Sequence, residues 1–252
     1  MPNLQYALYQ GLWGGLDWLY PPICGGCSTR GNRWCPDCQK NVQRLDHLTI
    51  CPTCGQPDAR DAHTPCKRCQ QHPPKFIAAR SWGAFAGPLQ HALHRLKYRR
   101  DLALGEILAR HLIEQITHLN WQFDTVIPVP LSAKRLRERG YNQAALLALP
   151  VALALHRAYQ PAALQRQRHT DSQVHLNFQQ RQQNVSGAFH ATPRSVRGKN
   201  ILVIDDVATT SATLNACAHA LLEAGANQVY GLTMARAVFK HQPANSHTIH
   251  PE

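Results

Sequence analysis

The most constraining stretch of this chain lies between Ile201 and Thr213. Ile201, Leu202, Val203 and Ile204 form an unbroken apolar, mostly β-branched run, the pattern of a strand buried on both faces of a parallel sheet. Asp205 and Asp206 stand where such a strand ends, and Ala208, Thr209, Thr210, Ser211, Ala212 and Thr213 follow as small residues. Leu214, Cys217, Ala218, Leu221 and Leu222 then fall on one helix face, with Gly225 placed as a C-cap. Strand, acidic pair, small-residue loop and helix predict a cradle in which backbone N–H groups and a helix N-terminus hold a phosphate. The two carboxylates would face whatever that phosphate carries. Asp, Ser and Thr are also ordinary helix caps, but this junction holds more hydroxyls than capping uses.

A second junction repeats the logic. Val126, Ile127, Pro128, Val129 and Pro130 predict a strand running into a proline-shaped loop, with Leu131, Lys134 and Arg135 just beyond it. Ligands of α/β sheets bind at the strands' C-terminal ends, so both loops are expected on one edge, forming one site. Lys134 and Arg135 are expected to face a diphosphate group. Elsewhere, residues 76–85 predict an antiparallel strand or hairpin, and helices cover residues 89–96 and 102–116. A helix after Gln143 is expected to bend or break at Pro150. Residues 160–190 are polar, basic and rich in Gln, which predicts a mobile flap with a helical piece near residues 176–181. A short strand is expected at residues 229–233, and the tail 240–252 is expected to be disordered.

Eight of the nine cysteines form four CxxC pairs: Cys24 and Cys27, Cys35 and Cys38, Cys51 and Cys54, Cys66 and Cys69. Each pair bites one tetrahedral Zn²⁺ from a single knuckle, and two knuckles complete a four-cysteine site. Eight ligands imply two structural ions. Sequential pairing is preferred over a cross-brace. A redox CxxC would need a thioredoxin-like βαβ context that is absent here. Cys217 lies on the apolar helix face and is expected to be core.

The organisation expected is an N-terminal helix-like segment (1–20), a zinc module (21–72), an α/β domain (73–239) and the tail (240–252). His72, Pro73 and Pro74 read as a short stiff linker. Residues 4–20 are apolar but interrupted by Gly11, Gly14, Gly15 and Asp17, too short and polar for a membrane span. Packing against the protein's own body is preferred to peripheral membrane contact. With no signal-peptide pattern, the cytoplasm is the expected location, with the inner face of the membrane as the site of any such contact. Lys+Arg 27 against Asp+Glu 15 gives a formal charge of +12, a balance suited to phosphorylated or nucleic-acid partners.

The segment around Asp205 and Asp206 resembles the PRPP-binding motif of type I phosphoribosyltransferases. Many relatives have Gly, and others Ala, where Ser211 stands, a position that favours small residues if φ is positive. The wider pattern resembles the ComF/ComFC/GntX family of competence-associated proteins. It includes Pro21, Pro22 and Cys24, the four CxxC pairs, Leu96-Lys97-Tyr98, Val129-Pro130-Leu131 and Arg139-Gly140-Tyr141-Asn142-Gln143. Further along it includes Arg168, Thr170, Gln173 and Leu176, then Arg181, Asn184 and Gly187-Ala188-Phe189. The resemblance implies a type I phosphoribosyltransferase-like parallel sheet with flanking helices behind a double zinc ribbon. It also implies PRPP bound with Mg²⁺: Asp205 and Asp206 would hold the ribose hydroxyls and residues 208–213 the 5′-phosphate. A role in natural transformation and DNA uptake follows, with single-stranded DNA and a helicase-like protein as partners.

Three functions compete. In the first, the chain binds PRPP and single-stranded DNA, with Lys97, Arg99, Arg100, Arg139, Arg168 and Arg181 tracking phosphates while Tyr98, Tyr141 and Phe178 stack bases. In the second it is a working phosphoribosyltransferase, Asp205 and Asp206 acting as catalytic residues that stabilise an oxocarbenium-like ribose. In the third it is a zinc-ribbon adaptor with a vestigial PRPP site. The first is preferred. Relatives acting on 6-oxopurines commonly carry an acid where Thr209 stands, and glutamine amidophosphoribosyltransferases need a near-N-terminal cysteine where this chain has Pro2.

Overall fold

The computed structural model describes residues 4–19, 21–57, 61–167 and 187–238. In chain order the first elements are α1 (Leu4–Leu19), α2 (Pro36–Lys40), α3 (Lys67–Gln71), β1 (Ala78–Ala84), α4 (Gly87–Tyr98) and α5 (Ala103–Thr117). There follow β2 (Thr125–Pro128), α6 (Ala133–Arg139), α7 (Gln143–Ala154), β3 (Ala158–Tyr159), β4 (Leu164–Arg166) and β5 (Phe189–Ala191). The last described elements are α8 (Pro193–Val196), β6 (Asn200–Ala208), α9 (Ala212–Glu223) and β7 (Gln228–Arg236).

Five strands form one parallel sheet in the order β1–β7–β6–β2–β3. The apolar run 201–204 lies inside it, on β6, and alternates between two cores. Leu202 and Ile204 join Leu104, Leu108 and Leu147 of α5 and α7; Ile201 and Val203 join Leu214, Cys217 and Leu221 of α9. The period-two strand and the 3.6-period helices make that alternation work. Helices on both faces are what an all-parallel sheet requires, so the α/β expectation is met, and Cys217 is fully buried.

Three expectations need correction. Residues 78–84 form a parallel edge strand, Ala78 opposite Tyr230 and Ala84 opposite Arg236, where an antiparallel strand or hairpin was expected. Side-chain pattern does not encode strand direction; the crossover through α4 and α5 sets it. Of the two outcomes expected at Pro150, a bend or a break, the break does not occur, since α7 continues to Ala154. The Leu146 carbonyl, which a non-proline residue 150 would engage, lies where α5 comes close: a Cβ on Gly105 would stand 3.2 Å from it. The ends of the expected flap form an antiparallel pair, β4 with β5. Residues 168–186 and 239–252, which carry the flap's expected helical piece and the tail, lie outside the described residues.

The zinc module lies against the sheet. The outer edge of β1 is closed by it: Ala79 N donates to Thr53 O (2.7 Å) and Ala84 N to Gln43 O (2.8 Å), satisfying an edge that would otherwise be open. Gly55 is required here. Its φ is +68°, and a Cβ would stand 2.5 Å from the Ala79 carbonyl oxygen. Helix α1 runs unbroken through its three glycines. Gln10 Nε2 donates to the buried Glu106 Oε1 of α5 (3.2 Å), while Leu4, Leu8 and Leu12 are exposed. Among the described residues no helix is long and apolar enough to cross a membrane.

Candidate functional site

The C-terminal ends of β2, β6 and β7 meet at one edge, and above them opens a cleft of about 640 Å³. Asp205 and Asp206 form its floor, both buried. The following loop lines one wall. Ser211 caps α9 in a left-handed conformation, φ +61° and ψ 14°, so the position does carry the positive φ for which many relatives use glycine. Thr210 Oγ1 accepts from Ala212 N (3.4 Å). The opposite wall comes from the loop after β2, where Ser132 Oγ caps α6 by accepting from Arg135 N (3.4 Å).

The two carboxylates are electrically unequal. Burial, then the neighbouring Asp206, pushes Asp205 well above the usual carboxylate range. Burial also works against Asp206, but the charge and hydrogen bond of Lys97 outweigh it and hold that carboxyl low. Lys97 Nζ sits 2.5 Å from Asp206 Oδ2. The fold therefore disfavours ionising both acids together, and Lys97 stands as the counter-charge of Asp206. Arg135, Arg166, Arg100 and Arg139 also line the cleft, leaving a net positive cavity suited to a polyanion.

The expected site residues divide. Asp205, Asp206, Ala208, Thr209, Ser211, Ala212, Thr213, Leu131 and Arg135 line the cleft, with Thr210 in the same loop. Lys134 does not: its ammonium lies 4.0 Å from Glu138 and is largely exposed, because α6 turns it outward. Lys97, expected on a DNA track, is instead bonded to Asp206, since the last turn of α4 passes over the end of β6. Arg99 and Arg100 are exposed. The Arg139 guanidinium sits 5.1 Å over the exposed Tyr98 ring and donates to Gln143 Oε1 (2.7 Å). Tyr141 donates its hydroxyl to Leu96 O. Arg168, Arg181 and Phe178 lie outside the described residues.

Two arginines were missed by sequence reasoning. Arg166, on β4, reaches the cleft with its guanidinium 5.4 Å over the Phe189 ring; nothing in a basic, Gln-rich stretch distinguishes it. Arg236 ends β7 and is fully buried. It donates through Nη2 to Ser211 Oγ (2.9 Å) and Cys54 O, and through Nη1 to Thr209 O (3.4 Å) and Gln56 Oε1 (3.4 Å). Burial lowers it to about 10, so it stays charged at neutral pH. A lone arginine closing an apolar strand at the ligand edge was the available signal.

The cysteines form two tetrads, Cys24, Cys27, Cys35 and Cys38, and Cys51, Cys54, Cys66 and Cys69. The preferred sequential pairing is thus the observed one. Sulfur–sulfur separations of 3.6, 3.7 and 3.8 Å match the edge of about 3.8 Å of a tetrahedron with Zn–S bonds of about 2.3 Å. Backbone N–H groups point at the sulfurs, Cys35 N to Cys24 Sγ (3.4 Å) and Cys66 N to Cys51 Sγ (3.3 Å), as thiolate ligands require. These residues fit two structural zinc ions.

Residues 101–243 match the family of the phosphoribosyl transferase domain, and residues 15–70 match the double zinc ribbon domain. The DNA utilization protein YhgH of Shigella flexneri is 34% identical over 195 residues, 75% of this chain and 85% of that protein. Competence protein F of Haemophilus influenzae is 28% identical over 213 residues, 82% and 91% of the two chains. Competence protein ComFC of Bacillus subtilis is 28% identical over 218 residues, 81% and 84%.

Proposed function

This chain belongs to the phosphoribosyl transferase domain family, in the ComF/GntX group that carries a double zinc ribbon, and from that premise we propose that it binds PRPP with Mg²⁺ in the cleft and acts on single-stranded DNA in DNA uptake or utilisation. The observation that carries the first half is the juxtaposition, in one positive cleft, of a buried acidic pair and a loop opened by a left-handed residue at a helix N-terminus. Loop 208–213 and the first turn of α9 hold the 5′-phosphate, through N–H groups that have no partner inside the helix. Asp205 and Asp206 accept from the ribose hydroxyls. Arg135 and Arg166 face the diphosphate, where guanidinium groups bind phosphate bidentately. Mg²⁺, a hard cation that prefers carboxylate and phosphate oxygens, would neutralise diphosphate charge when bound, and Asp206 is the cleft carboxylate that would serve it.

The DNA half rests on the names of the relatives, DNA utilization and competence proteins, and on the basic-aromatic rim of the cleft. Tyr98, Arg99, Arg100 and Arg139 offer a ring and three cations where α4 ends, the composition that single strands use. Asp206 must exchange Lys97 for ligand, which frees the lysine to meet an incoming phosphate.

Calorimetric titration of one preparation with PRPP·Mg²⁺ and with a single-stranded oligonucleotide tests both halves. Wild-type protein should bind both, and Asp206→Asn should lose about tenfold or more in PRPP affinity, the loss of one charge-assisted bond worth ~1.5–3 kcal/mol. No PRPP binding by the wild type would overturn the reading.

A further inference from the structure

The second zinc ribbon does more than close a sheet edge. Arg236 spans from it to the phosphate loop, with two hydrogen bonds to each: Cys54 O and Gln56 Oε1 on the knuckle, Thr209 O and Ser211 Oγ on the loop. All four acceptors are uncharged, and the arginine is fully buried. A zinc ion held by four thiolates carries a net charge of about −2, and three arginines crowd this tetrad. Arg68 Nη2 lies 3.5 Å from Cys54 Sγ, Arg80 donates to Pro52 O (2.8 Å), and Arg236 binds the Cys54 carbonyl. The filled tetrad is thus the counter-charge that suits a buried guanidinium with no carboxylate partner among the described residues.

The loop needs such an anchor. Ser211 holds φ +61°, which glycine adopts freely and serine adopts only when something holds it. Its Oγ accepts from Arg236, and its carbonyl accepts the opening helical bond from Asn215 N (2.9 Å). The conformation that starts α9 is therefore fixed by an arginine whose other two bonds lie on the metal knuckle.

We propose that Arg236 is the positioning residue of the phosphate loop and takes its own position from the second cysteine tetrad, so that occupancy of that metal site sets affinity for a phosphomonoester at residues 208–213. The inference rests on the proposed reading of that loop as a phosphate cradle and adds the metal as its support.

The test uses the full zinc-loaded chain. Arg236→Met, Ser211→Ala and the double variant Arg236→Met/Ser211→Gly are compared with wild type for zinc content, for affinity toward ribose 5-phosphate, and for hydrogen exchange over residues 208–214. Arg236→Met should keep two zinc ions, bind about tenfold or more weakly and exchange faster in the loop, since a buried charged anchor is lost. Adding Ser211→Gly should recover most of the affinity, because glycine holds the left-handed conformation unaided. Rescue of this kind would not follow if Arg236 served only general stability. Wild-type affinity and loop exchange in Arg236→Met would overturn the proposal. If that variant does not fold, Ser211→Ala decides, with faster loop exchange supporting the anchor and unchanged exchange overturning it. For the metal, Cys66→Ser should loosen the loop and Cys27→Ser, in the other tetrad, should not; equal effects would overturn the metal's part. If wild-type protein itself does not bind ribose 5-phosphate, the function proposed above fails, and the exchange comparison still judges the anchor alone.

Discussion

Lys97 Nζ lies 2.5 Å from Asp206 Oδ2, joining the last turn of α4 to the end of the middle strand β6. The contact holds one of two adjacent buried acids in its ionised form and makes Lys97 part of the cleft. Replacing Lys97 by Met should therefore destabilise the protein by about 3 kcal/mol, the scale for stranding a buried charge. Lys97→Met/Asp206→Asn should recover most of that loss. Urea unfolding of the four proteins in the cycle measures the coupling; additive losses would show that the pair does not interact.

The unequal carboxylates make stability depend on pH in opposite senses. Asp205 is raised by burial, so the fold favours its neutral form. Stability is lost as pH climbs from the unfolded value of about 3.9 through the folded one. Asp206 is held low, so its contribution is present above about 3.9 and lost as pH falls through its folded value. Asp205→Asn should thus melt close to wild type near pH 4 and progressively higher than wild type as pH rises, while binding PRPP more weakly. Calorimetric melting across that range checks it. A melting difference independent of pH would contradict the assignment.

Metal analysis should return two zinc ions per chain. Each four-thiolate site contributes ~10 kcal/mol or more of metal-linked folding energy, so strong chelation should unfold the zinc module and open the outer edge of β1. Loss of the Ala79–Thr53 and Ala84–Gln43 bonds should appear as faster amide exchange in β1 before β6 responds. One ion per chain, or full stability after chelation, would remove the double-ribbon assignment.

DNA binding should fall steeply with salt and depend little on sequence. The single-strand slope is about −0.7 per phosphate neutralised. Replacing Arg99 and Arg100 by Gln should therefore make the log–log slope shallower by about 1.4 while leaving zinc content unchanged. An unchanged slope would exclude the end of α4 from the strand's path.

Much of this architecture was legible because its chemistry is local. Four apolar residues before two acids are a buried strand in nearly any context, and residues 201–206 need no distant partner to be recognised. Each CxxC knuckle is likewise a short-range device, so eight cysteines announced two metal sites and even their pairing. What tertiary structure alone decided is whatever required residues far apart in the chain to meet. The direction of β1 follows from a crossover. Lys134 and Arg135 are adjacent, yet the turn of α6 brings only the second into the cleft. Lys97 changed role because α4 crosses the end of β6, and a basic run looks the same whether it faces solvent or a buried carboxylate. Arg236 reaches Cys54 across 182 residues, a pairing that no local pattern records. Periodicity and spacing specify elements; the electrostatics of a buried site depend on which charges the fold brings within a few ångströms, and only the packed chain sets those distances.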